Sequence, residues 1–166
     1  MGRNGARSVA LGGVMAAVAV VIMCMGGIIP VATYVCPTLC ALLLAIVLRF
    51  VERRIGWAWY GAVSVLSLLL GPDKEAAAVF VFLGYYPIIK PWIDKRKLSF
   101  VWKLAIFNLS IGVMYALLLY VFQLDQVVRD FGGLGLAMTL ITLFLGNVVL
   151  FMLDFLLGRM NFRRKT

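Results

Sequence analysis

No charged residue occurs from Ser8 to Leu48, and the forty-one positions show no alternation of apolar and polar side chains. As one helix this run would extend roughly 60 Å at about 1.5 Å per residue, twice the ~30 Å hydrocarbon core of a bilayer. Two spans are therefore expected, with Pro30 in "GGIIPVATY" as the break between them. Ile55 to Gly71 reads as a third, short span, and Ala76 to Ile93 as a fourth. A fifth begins near Phe100, and the sixth is centred on the uncharged run Phe131 to Leu153. Lipid offers the backbone no hydrogen bonds, so each run must be a helix or a strand of a closed barrel. Barrel strands alternate with period two, and these do not. The pattern predicts an all-α polytopic membrane protein: one domain over 1–166, with six spans at about 8–29, 31–50, 55–71, 76–93, 100–122 and 132–157 and no soluble module. The core of the first run, Val9 to Ile29, is about twice the length of a signal-peptide h-region, so it is expected to be retained.

Composition agrees, at 64% hydrophobic residues and a mean hydropathy of +1.03. Charge adds an orientation. With six spans, Arg3, Arg7, Arg49, Arg53, Arg54, Lys90, Lys95, Arg96, Lys97, Lys103, Arg159, Arg163, Arg164 and Lys165 fall on one side, and only Lys74 and Arg129 on the other. Basic residues mark the cytoplasmic side, so both termini are expected there, in the plasma membrane of a bacterium. The net charge of +9 follows from these flanking clusters. Clusters at helix ends suit anionic lipid headgroups rather than nucleic acid.

The inventory of reactive groups is thin. There is no histidine, which removes Ser-His-Asp catalysis, His-ligated zinc and axial-His haem together. Cys24, Cys36 and Cys40 read as small packing residues, and no acid pair has the spacing of a metal site. The expectation is a non-enzyme with no metal and no cofactor. Within the spans, Asn108, Gly112 and Tyr115 share one helix face, as do Asn147, Phe151, Asp154 and Gly158. The asparagines suit bonds between helices, and Asp154 an ion pair with Arg49 or Arg53. On the first helix, Gly12 with Ala16 and Gly13 with Ala17 form two small-residue pairs at i, i+4 spacing. Such faces let another helix come close. That helix is either an internal neighbour or a partner protein.

Between the third and fourth spans stands "GPDKEA". Asp73, Lys74 and Glu75 are either a solvated turn or polar groups of a lid over the Tyr34, Tyr85 and Tyr86 region, where Pro87 and Pro91 interrupt the fourth span. Interrupted membrane helices often line a cavity.

With six spans, "ALGGVMAAVAVVI" in the first and "LGNVVLFML" in the last, the chain resembles the substrate-binding S components of energy-coupling factor (ECF) transporters. The resemblance implies a membrane subunit that binds a small water-soluble nutrient, vitamin-like, in the outer half of the bundle. It also implies docking of Gly12, Gly13, Ala16 and Ala17 on a transmembrane coupling subunit that works with ATPases, and a substrate site at Asp73, Lys74, Glu75, Tyr85, Tyr86 and Tyr34. The alternative is a non-transport assembly or scaffold protein, similar in size to the rod-shape protein MreD, that acts through helix contacts.

Overall fold

The computed structural model describes residues 3–26, 32–120 and 125–159. Seven helices and no strand occur among them: α1 (Arg3–Met25), α2 (Ala32–Phe50), α3 (Arg53–Leu70), α4 (Lys74–Leu83), α5 (Tyr86–Ile93), α6 (Ser99–Tyr120) and α7 (Asp125–Arg159). α4 and α5 are two arms of one bent rod, so the described chain makes six rods. Three of them, at Thr33–Phe50, Lys74–Ile93 and Ser99–Leu117, are long and apolar enough to cross a membrane, and Val9–Met25 is a shorter apolar helix. The break expected at Pro30 lies outside the described residues, and most of the connection expected between the fifth and sixth spans is instead the first turns of α7.

α2 lies at the centre, packed against α1, α3, α4, α5 and α7. Its alternation of small and large side chains suits the position: Cys36, Cys40, Ala41, Leu44, Ala45, Val47 and Leu48 are all buried over about half of the helix circumference, while Val35 and Leu39 on the other side are exposed. An apolar stripe that wide packs against several neighbours at once. Two core clusters flank it. One joins Ala19 and Met23 of α1 to Trp59 and Val63 of α3, with Ala76, Ala77 and Phe80 of α4. The other joins Ala41 and Ala45 to Phe107, Ile111 and Met114 of α6 and Leu150, Leu153 and Leu157 of α7. The outside is apolar as well. Leu69, Leu109 and Phe144 are each 70% exposed or more, as suits a surface surrounded by hydrocarbon.

Glycine permits the closest approach in the second cluster. A Cβ at Gly146 would stand 2.6 Å from Ile111 Cδ1 and 3.3 Å from Phe107 Cε1, so α6 and α7 meet as they do only without a side chain there. Beside this contact Asn147 Nδ2 donates to Asn108 Oδ1 at 3.1 Å, the bond between helices that the sequence suggests.

The fourth span is not one regular helix. α4 ends at Leu83 and α5 begins at Tyr86. Pro87 and Pro91 have no N–H to give to the turn before them, and each ring crowds the carbonyl four residues back. Gly84 N donates to Phe80 O at 2.7 Å, while the next bond, Ile88 N to Tyr85 O, spans only three residues. A side chain at Gly84 would meet the Phe80 ring at 2.7 Å. The rod bends here.

Candidate functional site

The turn between α3 and α4 is held by its own charges. Asp73 precedes α4 as its N-cap: Oδ1 accepts from Ala76 N at 3.0 Å, and Oδ2 accepts from Thr33 Oγ1 at 2.7 Å. Lys74 Nζ donates to the carbonyls of Leu68 and Gly71, at 2.8 and 2.9 Å, at the C-terminal end of α3. These are groups that a helix end leaves without internal partners. Glu75 faces inward. Its Oε1 accepts from Tyr115 Oη at 2.5 Å, and Tyr115 shares a 2.8 Å bond with Tyr34 Oη. Tyr34 and Glu75 are thus brought together, through a tyrosine of α6.

Tyr85 and Tyr86 lie elsewhere. Lys74 precedes Tyr85 by eleven residues, roughly 16 Å along a helix axis. Tyr85 sits at the bend, stacked on Trp57 with ring centroids 6.5 Å apart, and its hydroxyl is 3.1 Å from Ser110 Oγ. A narrow cleft opens beside it, with a cavity volume of about 30 Å³. Pro37 and Thr38 of α2, Phe82 to Tyr86 at the bend, Lys103, Ile106 and Ser110 of α6, and Val149 to Leu153 of α7 contribute to its wall.

Tyr86 leads from this cleft to an ionic cluster near the ends of α5 and α7. Its hydroxyl donates to Asp154 Oδ1 at 2.6 Å. Lys90 Nζ donates to the same oxygen and, at 3.3 Å, to the Asp154 backbone carbonyl. Lys103 Nζ donates to Asp154 Oδ2 at 3.1 Å and reaches Asp94 Oδ1 at 2.6 Å. Asp94 Oδ2 lies 3.7 Å from Lys90. Two ammonium groups and two carboxylates from three helices cancel in formal charge. That matters because Lys90 is only 6% exposed, and an unpaired ion so deep is costly.

Asp154 therefore pairs with Lys90 and Lys103, and not with Arg49 or Arg53, both of which are exposed. α7 packs beside α2, α5 and α6 so that its last turns face the α5–α6 connection. Lys90, Asp94, Lys103, Thr38 and Ser110 were not among the sequence-based site residues. Lys90 carried a signal: it is the one charge inside the apolar stretch "YYPIIKPWI".

The two small-residue pairs of α1 separate. Gly12 is buried and its carbonyl accepts from Trp59 Nε1 at 3.0 Å, and Ala16 is half-buried. Gly13 and Ala17 are exposed, beside Val14, Val18 and Val21. Cys36 and Cys40 are buried packing residues, with Cys40 Sγ donating to Ala19 O at 3.3 Å. Among the described residues no group of three or more Cys, Asp or Glu side chains could hold a metal.

No family model matches the chain, and no curated protein or solved structure matches it either.

Proposed function

We propose that the chain is a multi-pass protein of a bacterial plasma membrane, with six spans and both termini in the cytoplasm, that binds a small nutrient molecule in the cleft at the α4–α5 bend. In this reading it is the substrate-binding subunit of an uptake system driven by a separate ATP-hydrolysing module, the role implied by its resemblance to S components. The observation that carries the reading is the cleft itself. It lies at an interrupted helix between the two ends of the bundle, where transport proteins commonly hold their solutes. Irregular backbone at membrane depth is tolerated where it is buried in protein or lines a cavity. Asp73 and Lys74 serve the turn that bears them, which favours the cleft over the 71–75 segment as the place of binding.

Purification from the native host in mild detergent, followed by identification of bound proteins and small molecules, tests this. The expected result is a retained small molecule, lost from Ser110→Phe, together with a membrane coupling subunit and ATPases. A wild-type preparation carrying neither would refute it.

One observation favours a second reading, a scaffold that works by helix contacts. Gly13 and Ala17 lie on an exposed face of α1, and a Cβ added at Gly13 would meet nothing within 4 Å. Partner proteins without any bound small molecule, lost on Ala17→Leu, would support it.

A further inference from the structure

The cleft wall has one charged side chain, and it is a cation. Of the residues that line it, only Thr38, Tyr85, Tyr86, Ser110 and Lys103 offer polar side chains, and none is a carboxylate. The remainder is aliphatic or aromatic, so most of any occupant's surface must be apolar. Lys103 also lines a second cavity, of about 130 Å³, together with Ser99, Phe100, Leu104, Leu150, Phe151 and Asp154. Lys103 and Leu150 belong to both walls. An apolar space and a more polar one thus adjoin at the Lys103 side chain.

An ammonium has three donors. At Lys103 two are engaged, by Asp154 at 3.1 Å and by Asp94 at 2.6 Å. The two carboxylates differ. Asp154 is fixed by Lys90 and Tyr86 as well, and its side chain is 26% exposed. The Asp94 side chain is 42% exposed, at the end of α5, and is followed by Lys95, Arg96 and Lys97, all exposed. Asp94 is the more exposed of the two and has water and these three cations beside it, so it is the carboxylate placed to exchange. Asp154 cannot leave without stranding Lys90.

We propose that the cleft takes an amphipathic monoanion, with its apolar body against the α4–α5 bend and its acidic head on Lys103 in the place of Asp94. This deepens the ligand-binding reading above and rests on it. The head exchanges with a carboxylate already present, so the cluster stays neutral when the ligand binds. Ser99 and the third donor of Lys103 supply further bonds to the head. A neutral molecule of the same shape would gain the apolar contacts alone. A cation would meet Lys103 with no carboxylate in the cleft wall to offset it.

Purified protein in a nonionic detergent, titrated separately with decanoate, decan-1-ol and dioleoyl phosphatidylglycerol, tests the proposal, with bound copies counted by native mass spectrometry. Decanoate should bind as one copy and at least tenfold more tightly than decan-1-ol, as a charge-assisted bond requires. Lys103→Met should abolish that preference. Asp94→Asn keeps Lys103 and its bond to Asp154 but removes the competing charge, so it should bind decanoate at least threefold more tightly than wild type. Tighter binding of phosphatidylglycerol than of decanoate, with the same response to both variants, would assign the anion to the membrane, and the reverse order to the water phase. Equal binding of decanoate and decan-1-ol, both lost in Ser110→Phe, would overturn the anion proposal and leave the cleft as a binding site. Failure of all three probes to bind, or unchanged decanoate affinity in Asp94→Asn, would also overturn it.

Discussion

Replacing Asp154 by leucine tests how the α5–α6–α7 cluster is held together. The substitution keeps the branched shape of the side chain near Leu150 and Leu157 but removes a carboxylate that accepts from Tyr86, Lys90 and Lys103. Lys103 retains Asp94 at 2.6 Å, whereas Lys90 keeps only Asp94, at 3.7 Å, and the Asp154 backbone carbonyl. Removing one partner of a buried ion pair costs about 3–5 kcal/mol, because the other charge stays in the interior. The remaining Asp94 and the partial exposure of Asp154 place this case near 3 kcal/mol, at the lower end of that range. At about 2–4 °C per kcal/mol for a chain of this size, the melting temperature in detergent should fall by roughly 6–12 °C. Lys90→Met should fall less, since Asp154 keeps Lys103 and Tyr86. The double variant Lys90→Met/Asp154→Leu should be more stable than Asp154→Leu alone, because no ammonium is then stranded. Intrinsic tryptophan fluorescence is a suitable reporter, with Trp92 and Trp102 near the cluster in sequence. A drop below about 3 °C for Asp154→Leu, or no recovery in the double variant, would refute the reasoning.

Further expectations concern the rest of the bundle. Gly146→Leu should separate α6 from α7 and shift the protein to lower thermal stability or to aggregation on size-exclusion chromatography, whereas Gly13→Leu should leave the isolated protein folded. Asn147→Leu should cost about 0.6 kcal/mol, the average for a bond between membrane helices, in an SDS unfolding titration. Asp73→Ala removes a helix cap and should cost about 1 kcal/mol in the same titration. Reporter fusions at residue 53 and after Thr166 should read as cytoplasmic and one at residue 74 as external; a cytoplasmic signal at 74 would end the six-span topology.

The helices were legible because long uncharged runs without period-two alternation read as helices of a length that could cross a membrane. α2 and α6 begin and end within two residues of the expected spans, and α7 starts seven residues before its span. The bend in the fourth span was legible in kind from Pro87 and Pro91, although it falls at Gly84 and Tyr85, where the lost backbone bonds are absorbed. Which side chains meet was much less legible. Asp154 could have paired with any cation at its end of the bundle, and only the packing of α7 beside α5 and α6 selects Lys90 and Lys103 over Arg49 and Arg53. The cleft was hidden for the same reason: Thr38, Tyr85 and Ser110 stand on three helices, and no spacing within one helix relates them.

The Lys90–Asp154 pair also has a place in the life of the chain before it is folded. The two residues are 64 positions apart. At roughly 5–20 residues per second of synthesis, Lys90 precedes its counter-ion by some 3–13 seconds. During that interval its available carboxylate is Asp94, one turn away on the exposed end of α5. In the membrane topology proposed above, a lysine so placed is held by its long stem at the membrane surface rather than in the interior. On that proposal the bent rod waits, shallow in the bilayer, until α7 arrives with Asp154 and Lys90 takes up its buried position. α7, made after the other described helices, is the one that supplies the counter-ion.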